Sequence, residues 1–237
     1  MASEISKTQI DRLGDRLKKG NITEADLRLL DLYRRSFTEA YEIVIGSIKD
    51  NLDLEPTGRP AKSTTSITDK LRRESIRLTQ IQDIAGCRLI VPDIANQELI
   101  FGYLRNLFEH TTVIDRRQQP SHGYRAVHVI VSCRGKLIEI QVRTSLQHLW
   151  AELSEKLSDV TDPAIKYGGG SNAVRNILTI ASSWVIREEL LETKVAELSS
   201  KGMFTDDDKQ QIVGELSAFR QEMSNNLRAL IKRAEQL

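Results

Sequence analysis

The chain has 237 residues, and with 40% of them hydrophobic it is long enough to bury one substantial core. Its 34 lysines and arginines nearly balance 33 aspartates and glutamates, so the overall charge gives no general attraction to nucleic acid. The N-terminal segment lacks the apolar core of a signal peptide, and no stretch approaches the roughly 18 apolar residues of a membrane span, so we expect a soluble protein without a membrane partner.

The N-terminal part of the chain is predicted to be helical, over residues 8–19 and 23–50. Thr23 is suited to cap the second helix. Apolar residues then follow at helical spacing and form a stripe, through Leu27, Leu30, Tyr33, Phe37, Tyr41 and Ile45. We expect these helices to flank a sheet.

Residues 59–88 carry an excess of positive charge, with seven basic against three acidic side chains. Ser66 and Asp69 have the spacing of a capping box, which predicts a helix from Ile67 with that residue on its buried face. Three basic residues lie three and then four apart on this helix and form a stripe on one face, namely Lys70, Arg73 and Arg77. The stripe and the helix N-terminus near Ser66 can bind a triphosphate, and the alternative is a solvated helix face.

Two acidic residues lie where they can serve a metal site. Asp83 precedes a buried strand that ends at Pro92, and a lone carboxylate there is a plausible Mg²⁺ ligand. Farther along, alternation in a later strand puts Glu139, Gln141 and Arg143 on one polar face. The alternative for the strand glutamate is one half of a cross-strand salt bridge.

Residues 120–131 begin as a loop and become a strand, with Tyr124 and His128 on the same side. An exposed ring next to Gly123 gives a nucleobase a flat platform, and such stacking is worth ~1–3 kcal/mol. The alternative for Tyr124 is ordinary core packing.

The remaining elements of the central region complete a mixed sheet of at least four strands. A helix at about 94–109 precedes a strand near 111–115. Strands around 125–133 and 137–143 follow, and residues 134–135 join them as a predicted hairpin.

A helix from Ser145 is predicted to bury Leu146, Leu149, Trp150, Leu153 and Leu157. Its polar side carries His148, Glu152 and Glu155, which have metal-compatible spacing, although a solvated face is favoured.

After this helix, Gly168–Gly170 form a flexible break. No Lys-Ser/Thr follows as in a P-loop, so we interpret the break as a hinge or a linker that starts a helix. Helices at 172–200 and 205–235 then carry apolar stripes that pack either within the chain or between copies in a homo-oligomer.

Five blocks of the chain together resemble the synthetase domain of the RelA/SpoT family, which makes the alarmones (p)ppGpp. They are GRPAKSTTSITDKLRR, DIAGCRLIV, HGYRAVH, EIQVRT and LQHLWAELSEKL, in the family's order and approximate spacing. The resemblance spans roughly residues 54–159. It implies an α/β (α+β) fold with a mixed sheet of the nucleotidyltransferase-like synthetase type, flanked by helices.

The resemblance also implies a reaction and a site. The reaction moves the β,γ-pyrophosphoryl group of ATP to the 3′-hydroxyl of GDP or GTP and releases AMP. The ATP phosphates and adenine would be bound by Arg59, Lys62, Ser66, Lys70, Arg73 and Arg88. Asp83 and Glu139 would hold Mg²⁺ and act as the catalytic pair, and Glu139 would either complete the metal site or activate the acceptor hydroxyl. The acceptor would contact Tyr124, His128, Gln141, Arg143 and His148.

Two departures from the family pattern bear on the substrates. Arg59 and Lys62 are one residue farther apart than is common in the family, which weakens the assignment of Arg59. The acceptor loop has Ser121 and His122 where many members carry a Pro-Lys pair before Gly-Tyr. The altered loop keeps open a second enzymatic reading, a toxin-type member that pyrophosphorylates the 3′-CCA end of tRNA. A third reading is a non-catalytic nucleotide sensor.

The four histidines include none followed by aspartate, so we expect no hydrolase domain. We divide the chain into N-terminal helices at 1–53, a synthetase core at 54–165 and a C-terminal helical extension at 166–237, as one domain overall. Cys87 and Cys133 show no metal-ligand spacing and indicate reduced thiols in a cytoplasmic protein.

Overall fold

A computed structural model describes residues 5–236, which form eight α-helices and five β-strands. The helices are α1 (Lys7–Lys19), α2 (Glu24–Arg35), α3 (Thr38–Leu52), α4 (Thr64–Arg73), α5 (Ile94–Leu107), α6 (Ser145–Val160), α7 (Asn172–Ser200) and α8 (Asp206–Ala234). The strands are β1 (Thr57–Arg59), β2 (Ala85–Val91), β3 (Thr111–Asp115), β4 (Val127–Cys133) and β5 (Lys136–Thr144). Short 3₁₀ turns cover Leu78–Gln80 and Pro163–Tyr167.

The strands form one sheet in the order β1-β2-β5-β4-β3, which confirms the predicted α+β class. β1 was not predicted; it pairs antiparallel with β2, and Gly58 lies opposite Cys87. A side chain at Gly58 would come within 2.4 Å of the Gly86 carbonyl oxygen, so this pairing requires glycine. The predicted hairpin joins β4 and β5 through Arg134 and Gly135, which both have positive φ, as tight hairpin turns require.

The chain divides into two compact units. The first unit contains Met1–Leu89, Tyr103–Val113 and His128–Gln141, and the second contains Ile90–Gly102, Ile114–Val127 and Val142–Leu237. The first unit buries, among others, Ile10, Leu13 and Leu17 of α1 with Ile67 and Leu71 of α4. The second unit buries the predicted apolar face of α6 against α7 and α8, in a cluster that includes Leu146, Trp150, Leu153, Leu178, Val185 and Leu227.

The single helix predicted over 23–50 is wrong, because the chain forms α2 and α3 instead. α2 begins after Thr23, whose hydroxyl accepts from the Asp26 amide as predicted for a cap. The Ser36 hydroxyl donates to the Tyr33 carbonyl at 2.6 Å, and the Phe37 amide bonds the Arg34 carbonyl three residues back. A serine that bonds the preceding turn competes with the helical ladder and bends it.

The predicted start of α4 at Ile67 is also wrong. Ser63 caps the helix, its hydroxyl accepting from the Ser66 amide at 3.2 Å, so the helix begins at Thr64. α4 ends at Arg73, and therefore Arg77 lies outside it and does not extend the basic stripe. The predicted burial of Ile67 is confirmed.

Within residues 5–236, no helix is long and apolar enough to cross a membrane. Cys87 is buried and Cys133 is partly buried, and both are free thiols. The cytoplasmic location stays a prediction. So do the division of the chain into segments 1–53, 54–165 and 166–237 and the assembly of a homo-oligomer.

Candidate active site

In the first unit, Asp83 lies between two lysines. It occupies the turn before β2, and its Oδ2 and Oδ1 atoms lie 2.6 Å from the Lys62 Nζ and 3.0 Å from the Lys70 Nζ. Burial raises the pKa of Asp83, but the two ammonium groups lower it more, so the net pKa is below its ordinary value. The carboxylate is therefore ionised at neutral pH, with two cations beside it.

Backbone contacts hold this arrangement in place. The Lys62 amide donates to the Ile84 carbonyl at 2.6 Å, which ties the segment before α4 to the turn that carries Asp83. The Arg34 Nε donates to the Lys62 carbonyl at 2.7 Å. Lys70 projects from α4, which is anchored by the buried side chains of Ile67 and Leu71.

The other residues predicted to bind ATP lie on elements around this cluster with different exposure. Ser66 is in the first turn of α4 and accepts a hydrogen bond from the Ser63 hydroxyl at 2.8 Å. Arg73 is at the exposed end of α4 and bonds Glu74. The structure places Arg59 on exposed β1 and Arg88, partly buried, on neighbouring β2.

Glu139 lies on β5 in the same unit, between two polar neighbours. Its Oε1 atom is 2.8 Å from the Nδ1 of His128 on adjacent β4. Its Oε2 atom accepts a hydrogen bond from the side-chain amide of Gln141 at 2.6 Å. Burial raises the pKa of Glu139, while the hydrogen bond and charge of His128 lower it more, so the net pKa is below its ordinary value. The cross-strand partner of Glu139 is thus His128, and Arg143, which alternation put on the same face, is buried.

The strand that follows Asp83 packs on the strand that carries Glu139. Gly86 of β2 packs so closely on the Glu139 backbone that a Cβ there would come within 2.6 Å of the Glu139 carbonyl oxygen. The negative charge of Asp83 raises the pKa of Glu139, as expected for carboxylates at close range.

This pair suits Mg²⁺ in one specific way. The described residues contain no group of three or more His, Cys, Asp and Glu side chains that could hold a metal. Magnesium commonly takes one or two carboxylates and completes its shell with water and substrate phosphates, so the carboxylates of Asp83 and Glu139 fit the protein's share of such a shell.

In the second unit, Tyr124 follows a tight turn. The Ser121 and Tyr124 backbones bond each other, and the central residues His122 and Gly123 both have positive φ. A Cβ on Gly123 would lie 2.9 Å from the Trp150 ring, so glycine is required there for space as well as for conformation. This turn fixes the backbone from which the Tyr124 ring projects.

The Tyr124 ring itself is partly buried. Its centroid is 6.5 Å from that of Trp150, and the Arg143 guanidinium lies 5.0 Å from it. The Arg143 Nη2 donates to the Tyr124 hydroxyl at 3.0 Å. A cavity of about 160 Å³ beside the ring is also lined by Glu155 and Tyr167. Tyr124 therefore packs on the core on one side and borders a cavity on the other.

His148 lies on α6 of the second unit, 3.4 Å from the Glu152 carboxylate one turn on. His128 and Gln141, by contrast, contact Glu139 in the first unit. The structure thus brings two of the five predicted acceptor residues to Glu139 and groups Tyr124 with Arg143.

Sequence reasoning missed the partners of Arg125, the residue after Tyr124. Its guanidinium pairs with Glu189 of α7, and the Nε–Oε2 distance is 2.8 Å. No local pattern signals this contact, because the two residues are 64 positions apart.

Comparison with known proteins agrees with the motif blocks. Residues 58–158 match the sequence model described as "Region found in RelA / SpoT proteins". The GTP pyrophosphokinase YwaC of Bacillus subtilis is 30% identical over 151 residues, which cover 55% of this chain and 69% of that protein. The chain belongs to the RelA/SpoT family. Within it, an uncharacterized protein of Mycobacterium tuberculosis is 37% identical over 113 residues, 45% of this chain, and the match spans only 41% of that relative.

The family fold is seen in solved structures as well. The crystal structure of the small alarmone synthetase 1 from Bacillus subtilis superimposes with a TM-score of 0.55 at 25% identity. It covers 76% of this chain and 100% of that one. The RelA/SpoT assignment therefore rests on both the sequence and the fold.

Proposed function

We propose that this RelA/SpoT member is a small alarmone synthetase that transfers the β,γ-pyrophosphoryl group of ATP to the 3′-hydroxyl of GDP or GTP, giving (p)ppGpp and AMP. The observation that carries the proposal is the pair of contacts on neighbouring strands: Asp83, just before β2, lies between Lys62 and Lys70, and Glu139 on β5 pairs with His128. It combines phosphate-binding cations with two ionised carboxylates, which is what pyrophosphoryl transfer from Mg-ATP requires.

The lysines supply the ATP side of the reaction. In the structure they neutralise Asp83, and both carboxylate oxygens are engaged. A triphosphate offers the lysines a higher negative charge than one carboxylate does, so they exchange partners as it binds. Asp83 and Glu139 would hold Mg²⁺, which would neutralise charge on the phosphates. The remaining ATP contacts come from Ser66, Arg73, Arg88 and Arg59.

Glu139 supplies the acceptor side. In the reaction the acceptor 3′-oxygen bonds to the β-phosphorus of ATP, the bond between that phosphorus and the oxygen of the α-phosphate breaks, and AMP leaves. The Glu139 carboxylate accepts the hydroxyl proton, and His128 and Gln141 orient it. Tyr124 stacks on the guanine base, with Arg143 and His148 as further acceptor contacts. Positioning the two substrates in line does most of the remaining work.

The test is a transfer assay with terminally labelled ATP and Mg²⁺, in which GDP, GTP, ATP and deacylated tRNA are offered in parallel and Glu139→Gln is the control. We expect label in guanosine tetra- or pentaphosphate with wild type and none with the variant. Label on tRNA would show the toxin-type reaction instead, and nucleotide binding without transfer would show a sensor. Added (p)ppGpp should persist, because we predict no hydrolase activity.

A further inference from the structure

A buried polar network in the second unit links α7 to the segment that carries Tyr124. Glu189 of α7 is 5% exposed, and its Oε2 accepts from the Arg125 guanidinium. Its other oxygen, Oε1, accepts from the Gln147 side chain at 2.7 Å. Gln147 in turn bonds Gln97, and the Gln97 amide donates to the Val142 carbonyl at 2.7 Å. Every oxygen of the Glu189 carboxylate is therefore used.

A second contact from α7 reaches the same segment one residue before Tyr124. The Ser182 hydroxyl donates to the Gly123 carbonyl at 3.1 Å. Gly123 has no side chain to keep Ser182 and Trp150 away, since a Cβ there would meet both within 3.2 Å. α7 thus holds the backbone before Tyr124 and the side chain after it.

Stability alone does not account for the Arg125–Glu189 pair. Their side chains are only 13% and 6% exposed, so both charges are largely desolvated. Replacing such a pair with apolar residues is often neutral or stabilising, whereas two charge-assisted hydrogen bonds from one guanidinium fix the orientation of the chain. The pair follows Tyr124 directly, so the orientation that it fixes is that of the aromatic platform.

We propose that Glu189 is a positioning residue for the nucleotide acceptor: through Arg125, and together with Ser182, it holds Tyr124 in the orientation that stacks on the acceptor base. The inference rests on the proposed function. α7 lies outside residues 58–158, which match the family, so acceptor affinity depends here on a helix of the C-terminal extension.

The experiment compares Glu189→Gln, Ser182→Ala and wild type by calorimetric binding of GDP, and separately of a non-hydrolysable ATP analogue with Mg²⁺. KM values for GDP and ATP are measured beside it. We expect the GDP Kd and KM to rise about tenfold in Glu189→Gln, because a buried charged hydrogen bond is lost, and about threefold in Ser182→Ala. Binding of the ATP analogue should stay within about twofold, since the ATP residues lie in the first unit. Glu197→Gln, on the exposed face of the same helix, is the matched control and should equal wild type.

A merely structural role predicts a different pattern. In that case Glu189→Gln lowers the melting temperature and the active fraction, and both KM values stay at the wild-type level. An equal rise in the ATP and GDP constants would also overturn the inference. The double variant Arg125→Gln/Glu189→Gln should bind GDP no worse than the single variant, because both changes remove one interaction.

The outcomes separate this inference from the proposed function. A wild type that binds GDP and loses that affinity in Glu189→Gln, yet transfers nothing, supports the positioning role and refutes the synthetase. A wild type that makes alarmone while Glu189→Gln keeps its GDP affinity refutes the positioning role alone. A wild type that binds neither GDP nor GTP refutes both.

Discussion

Glu139 shows how the neighbours of one residue set its chemistry. A carboxylate as buried as this one would hold its proton to a higher pH than usual, yet the contact with His128 reverses the direction and lowers the pKa. The residue is therefore ionised throughout the neutral range. Its lowered pKa depends on a histidine of the adjacent strand.

The pH profile of the His128→Asn variant tests this dependence. With the imidazole removed, burial and the charge of Asp83 both raise the Glu139 pKa, so the acidic limb of kcat/KM should move to higher pH than in wild type. The measurement is the rate of alarmone formation between about pH 4 and pH 9, within the range where both carboxyl and imidazole groups titrate. The exposed His110→Asn is the control, and an unmoved acidic limb in His128→Asn would contradict the assignment.

The Glu139→Gln variant tests a second prediction about this residue. Loss of the proposed proton acceptor should reduce kcat by at least about 100-fold, while the lysines proposed to bind ATP should still bind nucleotide. Single-turnover transfer and equilibrium binding of the ATP analogue are measured on the same preparation. Retention of more than a tenth of wild-type kcat would place the catalytic base elsewhere.

At the level of elements, α1 and α2 are joined by one charged contact. Asp26 is the third residue of α2, where it completes a capping box with Thr23, and Arg16 of α1 donates to it at 2.6 Å. The hydrogen bond from Arg16 is the main reason that the pKa of Asp26 falls to about 2. The Asp26 carboxylate thus both caps α2 and links α2 to α1.

This contact predicts how stability depends on acid. The Asp26 pKa is lowered on folding from an ordinary value of about 3.9, so its contribution is complete above that value and is lost as the pH falls towards 2. Urea unfolding at pH 6, 4, 3 and 2.5 should therefore show a steeper loss in wild type than in Asp26→Asn. Glu24→Gln, in the exposed first turn of the same helix, should follow wild type. Parallel curves for wild type and Asp26→Asn would remove Asp26 from the acid transition.

At the level of the whole molecule, the C-terminal helices complete a core that the family segment begins. Trp150 and Leu153 of α6 are buried with Leu178 of α7 and Leu227 of α8, and the Trp150 indole donates to the Leu178 carbonyl at 2.9 Å. The predicted packing within the chain is thus present. Other apolar residues of the pair remain exposed, including Ile180 and Leu190 of α7.

Leu227→Ala tests the importance of this core. Leu227 is fully buried, so its truncation should cost about 2–5 kcal/mol of unfolding free energy. Val213→Ala on the same helix, at a site that is 62% exposed, should change it by less than about 0.5 kcal/mol. Denaturant unfolding of both variants is the measurement, and equal losses would show that α8 does not pack as described.

The sequence by itself determined most of the elements and the motif blocks that show the family. Alternation placed Glu139 on a polar strand face, and helical periodicity placed Trp150 and Leu153 on the buried face of α6, because these patterns follow from backbone geometry within one element. The sequence did not show which of two nearby residues caps a helix, as with Ser63 and Ser66 at the start of α4. There several residues satisfy the same rule, and packing selects one of them.

Only the tertiary structure decided which side chains meet. Nothing in the sequence shows that Lys62 and Lys70 hold Asp83, that His128 is the partner of Glu139, or that α7 reaches Arg125. These contacts depend on strand order and on how helices pack over long sequence separations, which no local pattern encodes. The sequence therefore determined which residues share an element and a face, and the fold decided which side chains meet and so lower the pKa values of Asp83 and Glu139.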